Sequence, residues 1–150
     1  MTQSSPRSVA LSRVSAEHYV ATNSEGASLE FGHGDGLFTP VELLLAAIGG
    51  CSSIDVDAVT SRHAEPTEFT VHVKGEYTVD DQGAHKMENI GLDFHVEFPA
   101  DGDGQRAAGL VERLVKLSHE KDCTVSRTVQ LPTSIISSVD GRTVTEPEDH

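Results

Sequence analysis

The alternation of apolar and polar positions predicts three short strands before any helix. They cover residues 7–14, 18–22 and 27–31. The intervening stretch 23–26 contains Asn, Ser and Gly, which favour a hairpin turn, and a glycine-rich loop follows at 33–36. The N-terminal part of the chain should therefore form antiparallel strands.

The residues that follow predict the start of a helix. Thr39 can act as the N-cap, Pro40 suits the first helical position, and Glu42 lies three residues after the cap, as in a capping box. Apolar residues then recur at helical spacing to about residue 62. We predict one long helix over 40–62.

One stripe of this helix is expected to face the core. Its members are Leu44, Ala47, Ile48, Cys51, Ile54, Asp55 and Ala58. Gly49 and Gly50 each cost on the order of 1 kcal/mol of helix stability relative to Ala. A helix that keeps two adjacent glycines is expected to have another element pressed closely against it there.

The second half of the chain alternates again over 67–79 and 88–98, which should pair as a hairpin. The side chains predicted to point inward are Phe69, Val71, Val73, Tyr77, Val79, Ile90, Leu92, Phe94, Val96 and Phe98. A second helix is predicted over 105–121 and a last strand within 128–139. The order β-β-β-α-β-β-α-β indicates an α+β fold with antiparallel sheets.

The length of 150 residues predicts a single domain. The polar stretches at 1–6 and 145–150 are expected to be flexible tails. A hydrophobic content of 37% is modest for a self-sufficient core. Part of the apolar surface is therefore expected to be completed by a partner subunit.

Charge and cysteine content exclude several classes of function. The net charge of −13 disfavours nucleic acids and anionic membranes as partners. The N-terminus has no apolar signal region and no run approaches the length of a membrane span. Two cysteines do not make a secreted disulfide scaffold. We expect a cytoplasmic protein with reduced thiols.

Cys51 and Cys123 are the residues best suited to chemistry. A thiol on an apolar helix stripe is often only a small core residue, but two glycines precede Cys51 and a second cysteine lies 72 positions on. Asp55 lies one helical turn after Cys51. Its negative charge would raise the pKa of the Cys51 thiol unless a nearby cation offsets that charge. The candidate cations are Arg7, Arg13, Arg62 and Arg127.

A zinc site is the alternative that these residue types leave open. Cys51, Cys123, His119 and Asp55 are all possible ligands. Zinc sites usually show close ligand pairs in sequence, and none is present here. No metal is therefore expected. His72 and His95 lie at outward strand positions among charges and fit a solvated face.

The residues match a known family at two places. The segment 40–51, PVELLLAAIGGC, followed by SSIDV at 52–56, resembles the central helix of the OsmC/Ohr family, whose members include organic hydroperoxide resistance proteins. The segment CTVS at 123–126 resembles its second cysteine segment. The Gly-Gly-Cys and Ile-Asp-Val pieces are most similar to the YhfA-like branch. The resemblance implies antiparallel sheets wrapped around long central helices in an intertwined homodimer.

The resemblance also implies a thiol peroxidase. Cys51 would attack an organic hydroperoxide and become a sulfenic acid, and Cys123 would resolve it as a disulfide. An external dithiol, such as a lipoylated protein, would then reduce that disulfide without a bound cofactor. In the family a Glu in the first helical turn and an Arg from the N-terminal strands, contributed across the dimer, activate the thiol. Glu42 and Arg13 are the candidates here.

The chain departs from the family at the glutamate. The family Glu directly follows the Pro, whereas here Val41 holds that position and Glu42 comes one residue later, which turns the side chain by about 100° around the helix. This displacement and Asp55 favour a rival hypothesis, a dimer that binds an apolar ligand or senses oxidants without turnover.

Overall fold

The computed structural model describes residues 2–145, which form two compact units, one ending at Ala46 and the other beginning at Ala47. Of the predicted tails, residue 1 and residues 146–150 lie outside the described part. The α+β class with antiparallel sheets is confirmed.

The first unit contains the three predicted N-terminal strands, β1 (Val9–Ser15), β2 (His18–Asn23) and β3 (Ser28–Gly32). They form one antiparallel sheet in the order β1-β2-β3. The side chain of Asn23 accepts hydrogen bonds from the backbone N–H groups of Glu25 and Ala27, each at 3.0 Å. The predicted hairpin turn is therefore closed by an asparagine side chain, a common device in tight turns.

One face of this sheet is apolar. Cross-strand partners share a face, and the register places these residues together: Val9, Leu11, Arg13, Tyr19, Ala21, Leu29 and Phe31. Val9 and Leu11 are 65% and 57% exposed. Arg13 is opposite Tyr19, so a single cation lies on a surface that is apolar apart from Asn23 at its edge, opposite Val9.

The helix α1 (Pro40–Thr60) begins as predicted and ends within two residues of the expected position. The N–H of Glu42 donates to Thr39 Oγ1 at 3.2 Å, and the N–H of Thr39 donates to Glu42 Oε1 at 2.9 Å. Both bonds of a capping box are present. The start of α1 is thus fixed by two side chains.

The buried side of α1 differs from the predicted stripe. The buried residues are Ile48, Gly49, Ser52, Val56 and Thr60. Ala47, Ile54 and Ala58 are exposed, Ile54 by 70%, so their predicted burial within the chain is wrong. Because α1 is apolar on more than one side, its hydrophobic periodicity does not single out one buried stripe.

The apolar character of α1 contradicts the expectation that no run of the sequence approaches the length of a membrane span. The helix α1 is long and apolar enough to cross a membrane, with a mean hydropathy of 1.5 over its best window. The core helix of a soluble protein passes the same test. Two of its polar side chains, Ser52 and Asp55, are hydrogen-bonded to Ser118 outside the helix, which is the behaviour of a helix packed on protein.

The second unit contains the predicted hairpin, β4 (Glu68–Val79) and β5 (His85–Glu97), paired antiparallel. Eight of the ten side chains predicted to face inward are half-buried: Phe69, Val71, Val73, Ile90, Leu92, Phe94, Val96 and Phe98. Tyr77 and Val79 are exposed, which contradicts the prediction. The register shifts after Lys74, next to Asn89 with its positive φ, and both exposed residues lie beyond that bulge.

The close approach expected at the glycine pair is present at Gly49. A Cβ added there would overlap the Cγ2 methyl of Val73 on β4, whereas a Cβ at Gly50 would meet nothing within 4 Å. Gly49 therefore allows α1 to lie directly against the inner face of the hairpin.

Replacing Gly49 by Ala is expected to destabilise the protein by about 1–3 kcal/mol, the usual cost of overpacking, despite the better helix propensity of alanine. Gly109, an exposed glycine of the second long helix with open space around it, is the matched control, and Gly109→Ala should stabilise by up to about 1 kcal/mol. Urea denaturation measures both changes. Equal shifts in the unfolding free energy would contradict the close packing of α1 on β4.

The helix predicted over 105–121 is divided in the structure. Helix α2 (Gly102–Leu117) starts earlier because the carboxylate of Asp101 accepts from the N–H of Gly104 at 2.7 Å. After Leu117 the chain forms a single π-helical turn, Ser118–Asp122. Such turns often occur at functional sites.

The strand predicted within 128–139 is largely wrong. Residues Thr124–Gln130 form a short helix, α3, with Cys123 at its N-cap. Only Ser138–Val139 is a strand, β6, and it pairs with β7 (Arg142–Thr143) in a small hairpin. The N-cap bond to the Cys123 sulfur outweighs the β-propensity of the Thr and Val residues that suggested a strand.

Candidate functional site

The two cysteines meet in the second unit although 72 positions separate them. The Sγ atoms of Cys51 and Cys123 and a carboxylate oxygen of Asp55 all lie within 4.8 Å of one another. Both thiols are free; Cys51 is half-buried and Cys123 is fully buried. The fold thus brings together the pair singled out in the sequence and leaves one of the two cysteines partly accessible.

Cys123 is held by the junction between the π-helical turn and α3. Its N–H donates to the carbonyl oxygen of Ser118 at 2.8 Å. Its Sγ accepts from the N–H of Ser126 at 3.4 Å and donates to Ser126 Oγ at 3.1 Å. Rather than ending a frayed helix, Cys123 has a fixed position with hydrogen-bonding groups around its sulfur.

Asp55 is hydrogen-bonded to Ser118, which in turn contacts Ser52. The hydroxyl of Ser118 donates to Asp55 Oδ2 at 2.7 Å and lies 3.1 Å from the hydroxyl of Ser52. Within residues 2–145, Asp55 forms no salt bridge. Of the arginines considered for this role, Arg127 instead donates to the carbonyl oxygen of Glu120, and Arg62 is exposed.

The two thiols have different acidities. Burial raises the pKa of Cys51, a backbone hydrogen bond from Val125 lowers it, and the neighbouring Cys123 and Asp55 raise it further. Burial also acts to raise the pKa of Cys123, but hydrogen bonds with the side chain and backbone of Ser126 and with Cys51 and Ser52 outweigh it, so this pKa is lowered. Activation of Cys51 as a nucleophile therefore needs a cation or donor beyond these groups.

Glu42 and Arg13 both belong to the first unit. Hydrogen bonds from the backbone and side chain of Thr39 hold the pKa of Glu42 below its ordinary value, so its carboxylate is already committed to capping α1. Arg13 lies on the apolar face of the β1-β2-β3 sheet. A catalytic role for either residue stays a prediction.

Two cavities in the second unit lie against the residues that surround Cys123. The first, of about 290 Å³, is lined by both apolar and polar residues of β5 and α3. The second, of about 530 Å³, is bounded by Ser52 and by apolar and charged residues of β5 and α2. His119 and Ser126 line both, and Cys51 lines neither. The site therefore adjoins space of mixed polarity, of a size that suits a small organic group.

Sequence reasoning missed the three serines of this site, Ser52, Ser118 and Ser126. The spacing of Cys123 and Ser126 is that of an N-cap and its third helical residue, which could have indicated their contact. Ser52 next to Cys51 offered no such signal. Only the tertiary structure brings Ser118 to Asp55.

The structure brings together only some of the metal ligands that the sequence left open. Cys51, Asp55 and Cys123 converge, while His119 is not part of that group. A second, exposed group joins Glu68, His95 and Glu97, with His95 Nε2 3.7 and 3.2 Å from the two carboxylates. His95 lies on a solvated face, as predicted.

Comparison with known proteins identifies the family. A family model described as OsmC-like protein matches residues 32–138, a range that includes α1, the hairpin, α2 and both cysteines. The chain belongs to the OsmC-like family. This membership confirms the resemblance found in the sequence.

Individual relatives of this OsmC-like protein agree with the assignment. An uncharacterized protein of Mycobacterium tuberculosis is 26% identical over 126 residues, covering 82% of this chain and 88% of that protein. An OsmC-like protein of unknown function from Vibrio cholerae has a TM-score of 0.69 at 13% identity, with 85% and 95% of the chains covered. A candidate organic hydroperoxide resistance protein from Vibrio cholerae, with captopril bound in one of its active sites, has a TM-score of 0.58 at 18% identity and coverages of 96% and 99%. At these identities the structural matches show a shared fold.

Proposed function

We propose that this OsmC-like protein is a cysteine-based peroxidase that reduces organic hydroperoxides in defence against oxidative stress. The observation that carries the proposal is the convergence of Cys51 and Cys123, two free thiols from distant parts of the chain. The likeness to a candidate organic hydroperoxide resistance protein supports the substrate class. A reducing cytoplasm would supply the dithiol that the cycle needs.

The proposed cycle uses three reactants: the two protein thiols, an organic hydroperoxide (ROOH) and an external dithiol. The thiolate of Cys51 attacks one oxygen of ROOH; the O–O bond breaks, ROH leaves after taking up a proton, and Cys51 becomes a sulfenic acid. The thiol of Cys123 attacks that sulfur, forming the disulfide and releasing water. An external dithiol, such as a lipoylated protein, reduces the disulfide and is itself oxidised.

The accessible sulfur suits the first step and the buried sulfur the second. Cys51 is half-buried, so a hydroperoxide can reach it, whereas Cys123 is shielded and meets only its neighbours. Ile90 and Leu92, which line both cavities beside Ser126, offer apolar contacts for the organic part of the substrate. The roles proposed from the sequence are consistent with this difference in burial.

We also propose that the working protein is a homodimer. The β1-β2-β3 sheet exposes Val9, Leu11 and Leu29 on one apolar face, and α1 exposes Ile54. A soluble monomer rarely leaves such contiguous apolar patches uncovered. In the proposed dimer, the sheet of one subunit would bring Arg13 to Cys51 of the other, which would supply the cation that Cys51 lacks within the second unit.

The test is a stoichiometric oxidation. One equivalent of cumene hydroperoxide added to the reduced protein should lower the intact mass by two hydrogen atoms within seconds, and peptide mapping should link Cys51 to Cys123. Cys123→Ser should instead gain one oxygen, trapped as sulfenic acid on Cys51. Thiols that remain unmodified under these conditions would contradict the proposal.

One alternative has a structural basis. The pKa of Cys51 is raised, and Glu42 is bound to Thr39. These features favour a dimer that binds an apolar ligand in the cavities beside Ser126 without turnover. Thiols that stay unreactive in the oxidation experiment would favour this function instead.

A further inference from the structure

A mixed cluster of sulfur and oxygen donors occupies the centre of the second unit. The Sγ atoms of Cys51 and Cys123 and a carboxylate oxygen of Asp55 lie within 4.8 Å of one another. Thiolate and carboxylate are both zinc ligands, and sulfurs about 2.3 Å from a tetrahedral zinc ion lie about 3.8 Å apart. The three side chains therefore need only small adjustments to reach one ion.

The donors already have the hydrogen bonds that metal ligands need. Ser118 donates to the carboxylate of Asp55 at 2.7 Å, and the N–H of Ser126 donates to the Cys123 sulfur at 3.4 Å. Val125 provides a backbone hydrogen bond to Cys51. Such outer contacts orient ligands and stabilise thiolates, and they come from two elements, the π-helical turn and α3.

We propose that the reduced protein binds one thiophilic divalent cation, of the zinc type, through Cys51, Cys123 and Asp55. Three protein ligands with a fourth position open to water is a common zinc arrangement, and the half-buried side of Cys51 provides the opening. Binding deprotonates both thiols and releases two protons to solvent. Within residues 2–145, Asp55 has no salt bridge that would compete with the ion.

This site has a consequence for activity that rests on the proposed peroxidase function. A bound cation engages both sulfurs, so it prevents attack on a hydroperoxide. Conversely, formation of the Cys51–Cys123 disulfide removes both sulfur ligands and releases the ion. Metal binding and peroxide reduction are thus mutually exclusive states of the same pair of thiols.

Cobalt titration tests the binding directly. Reduced protein titrated with Co²⁺ without oxygen should develop thiolate-to-cobalt charge-transfer absorption that saturates at one ion per chain, and Zn²⁺ should displace the cobalt. Cys51→Ser and Cys123→Ser should each lose most of this absorption. The exposed group of Glu68, His95 and Glu97 contains no sulfur, so cobalt bound there does not contribute to the signal.

The contribution of Asp55 has a matched control. Asp55→Asn keeps an acceptor for Ser118 but removes a charged ligand. Because loss of even an outer contact of a ligand costs about tenfold in metal affinity, cobalt binding should weaken by at least that factor. Asp57→Asn makes the same charge change on an exposed side of α1 and should leave the affinity unchanged. Absence of the charge-transfer absorption, or equal affinities for the two Asn variants, would overturn the proposal.

The metal-binding proposal and the peroxidase proposal can fail independently of each other. The titration contains no peroxide, so it succeeds or fails whether or not the protein turns over. Far-UV circular dichroism of each variant confirms that its fold is retained. If cobalt binds as expected, protein loaded with one equivalent of Zn²⁺ should react much more slowly than the metal-free protein with one equivalent of cumene hydroperoxide in the absence of dithiol. An undiminished rate of this single oxidation would overturn the regulatory part.

Discussion

Cys51→Ser is expected to lower dithiol-dependent turnover of cumene hydroperoxide by about a thousandfold or more. Loss of a catalytic nucleophile commonly removes several orders of magnitude of rate, because no neighbouring group replaces it. Cys123 does not substitute, since its side chain is fully buried. Steady-state consumption of hydroperoxide, followed with wild type and variant under the same dithiol concentration, measures the effect.

The same assay distinguishes the two sulfurs. Cys123→Ser should still react once, because Cys51 is intact, and then turn over slowly since its sulfenic acid lacks the resolving thiol. Equal losses in both variants for a single turnover would contradict the assigned order. Turnover by Cys51→Ser at the wild-type rate would refute the peroxidase mechanism itself.

The pH dependence of the first step follows from the acidity of Cys51. Only the thiolate attacks, and burial, Cys123 and Asp55 raise the pKa of this thiol. The thiolate fraction, and with it the single-turnover rate, should therefore increase as the pH rises toward that pKa and level off above it. A cation from the partner subunit would move this rise to lower pH.

Much of the fold could be predicted where local sequence signals agree with tertiary contacts. The start of α1 is a local matter of Thr39, Pro40 and Glu42, and both hydrogen bonds of the capping box are present. Gly49 was expected to mark a close contact, and Val73 makes it. These predictions succeeded because each depends on a few neighbouring residues or on steric space.

Other features depend on contacts that no local pattern contains. Ile54 has the spacing of a core residue yet is 70% exposed, since periodicity does not tell which apolar side of α1 the chain itself covers. The residues after Cys123 favour strands by propensity but form α3 because the sulfur caps that helix. The position of Ser118 beside Asp55 depends on the π-helical turn, which periodicity does not predict.

The reactive cysteines of the candidate site could therefore be predicted from the sequence, whereas the groups that surround them could not. Cys51 and Cys123 could be chosen because cysteines are few and one lies in a family motif. The serines and the differing thiol acidities arise from packing between α1, the π-helical turn and α3. The assignment to the YhfA-like branch stays a prediction.

Arg13→Met should lower turnover by about a hundredfold, the usual effect of removing one preorganised donor or cation at a reacting atom. Arg13 is the cation on the apolar face of the exposed sheet, where it lies opposite Tyr19. Arg7→Met is the matched control, because Arg7 contacts only its near neighbours Ser5 and Pro6 among the hydrogen bonds described for residues 2–145. The control should keep wild-type turnover in the same assay.

A mixed dimer decides whether Arg13 acts across subunits. Two differently tagged chains, one with Cys51→Ser and one with Arg13→Met, are coexpressed and the heterodimer is purified through both tags. If each site combines Cys51 of one subunit with Arg13 of its partner, one of the two sites is intact, and about half of the wild-type activity should return. The other site lacks both groups and contributes nothing. A heterodimer as inactive as the Arg13→Met homodimer would rule out action across the interface, and failure to isolate any heterodimer would argue against the dimer itself.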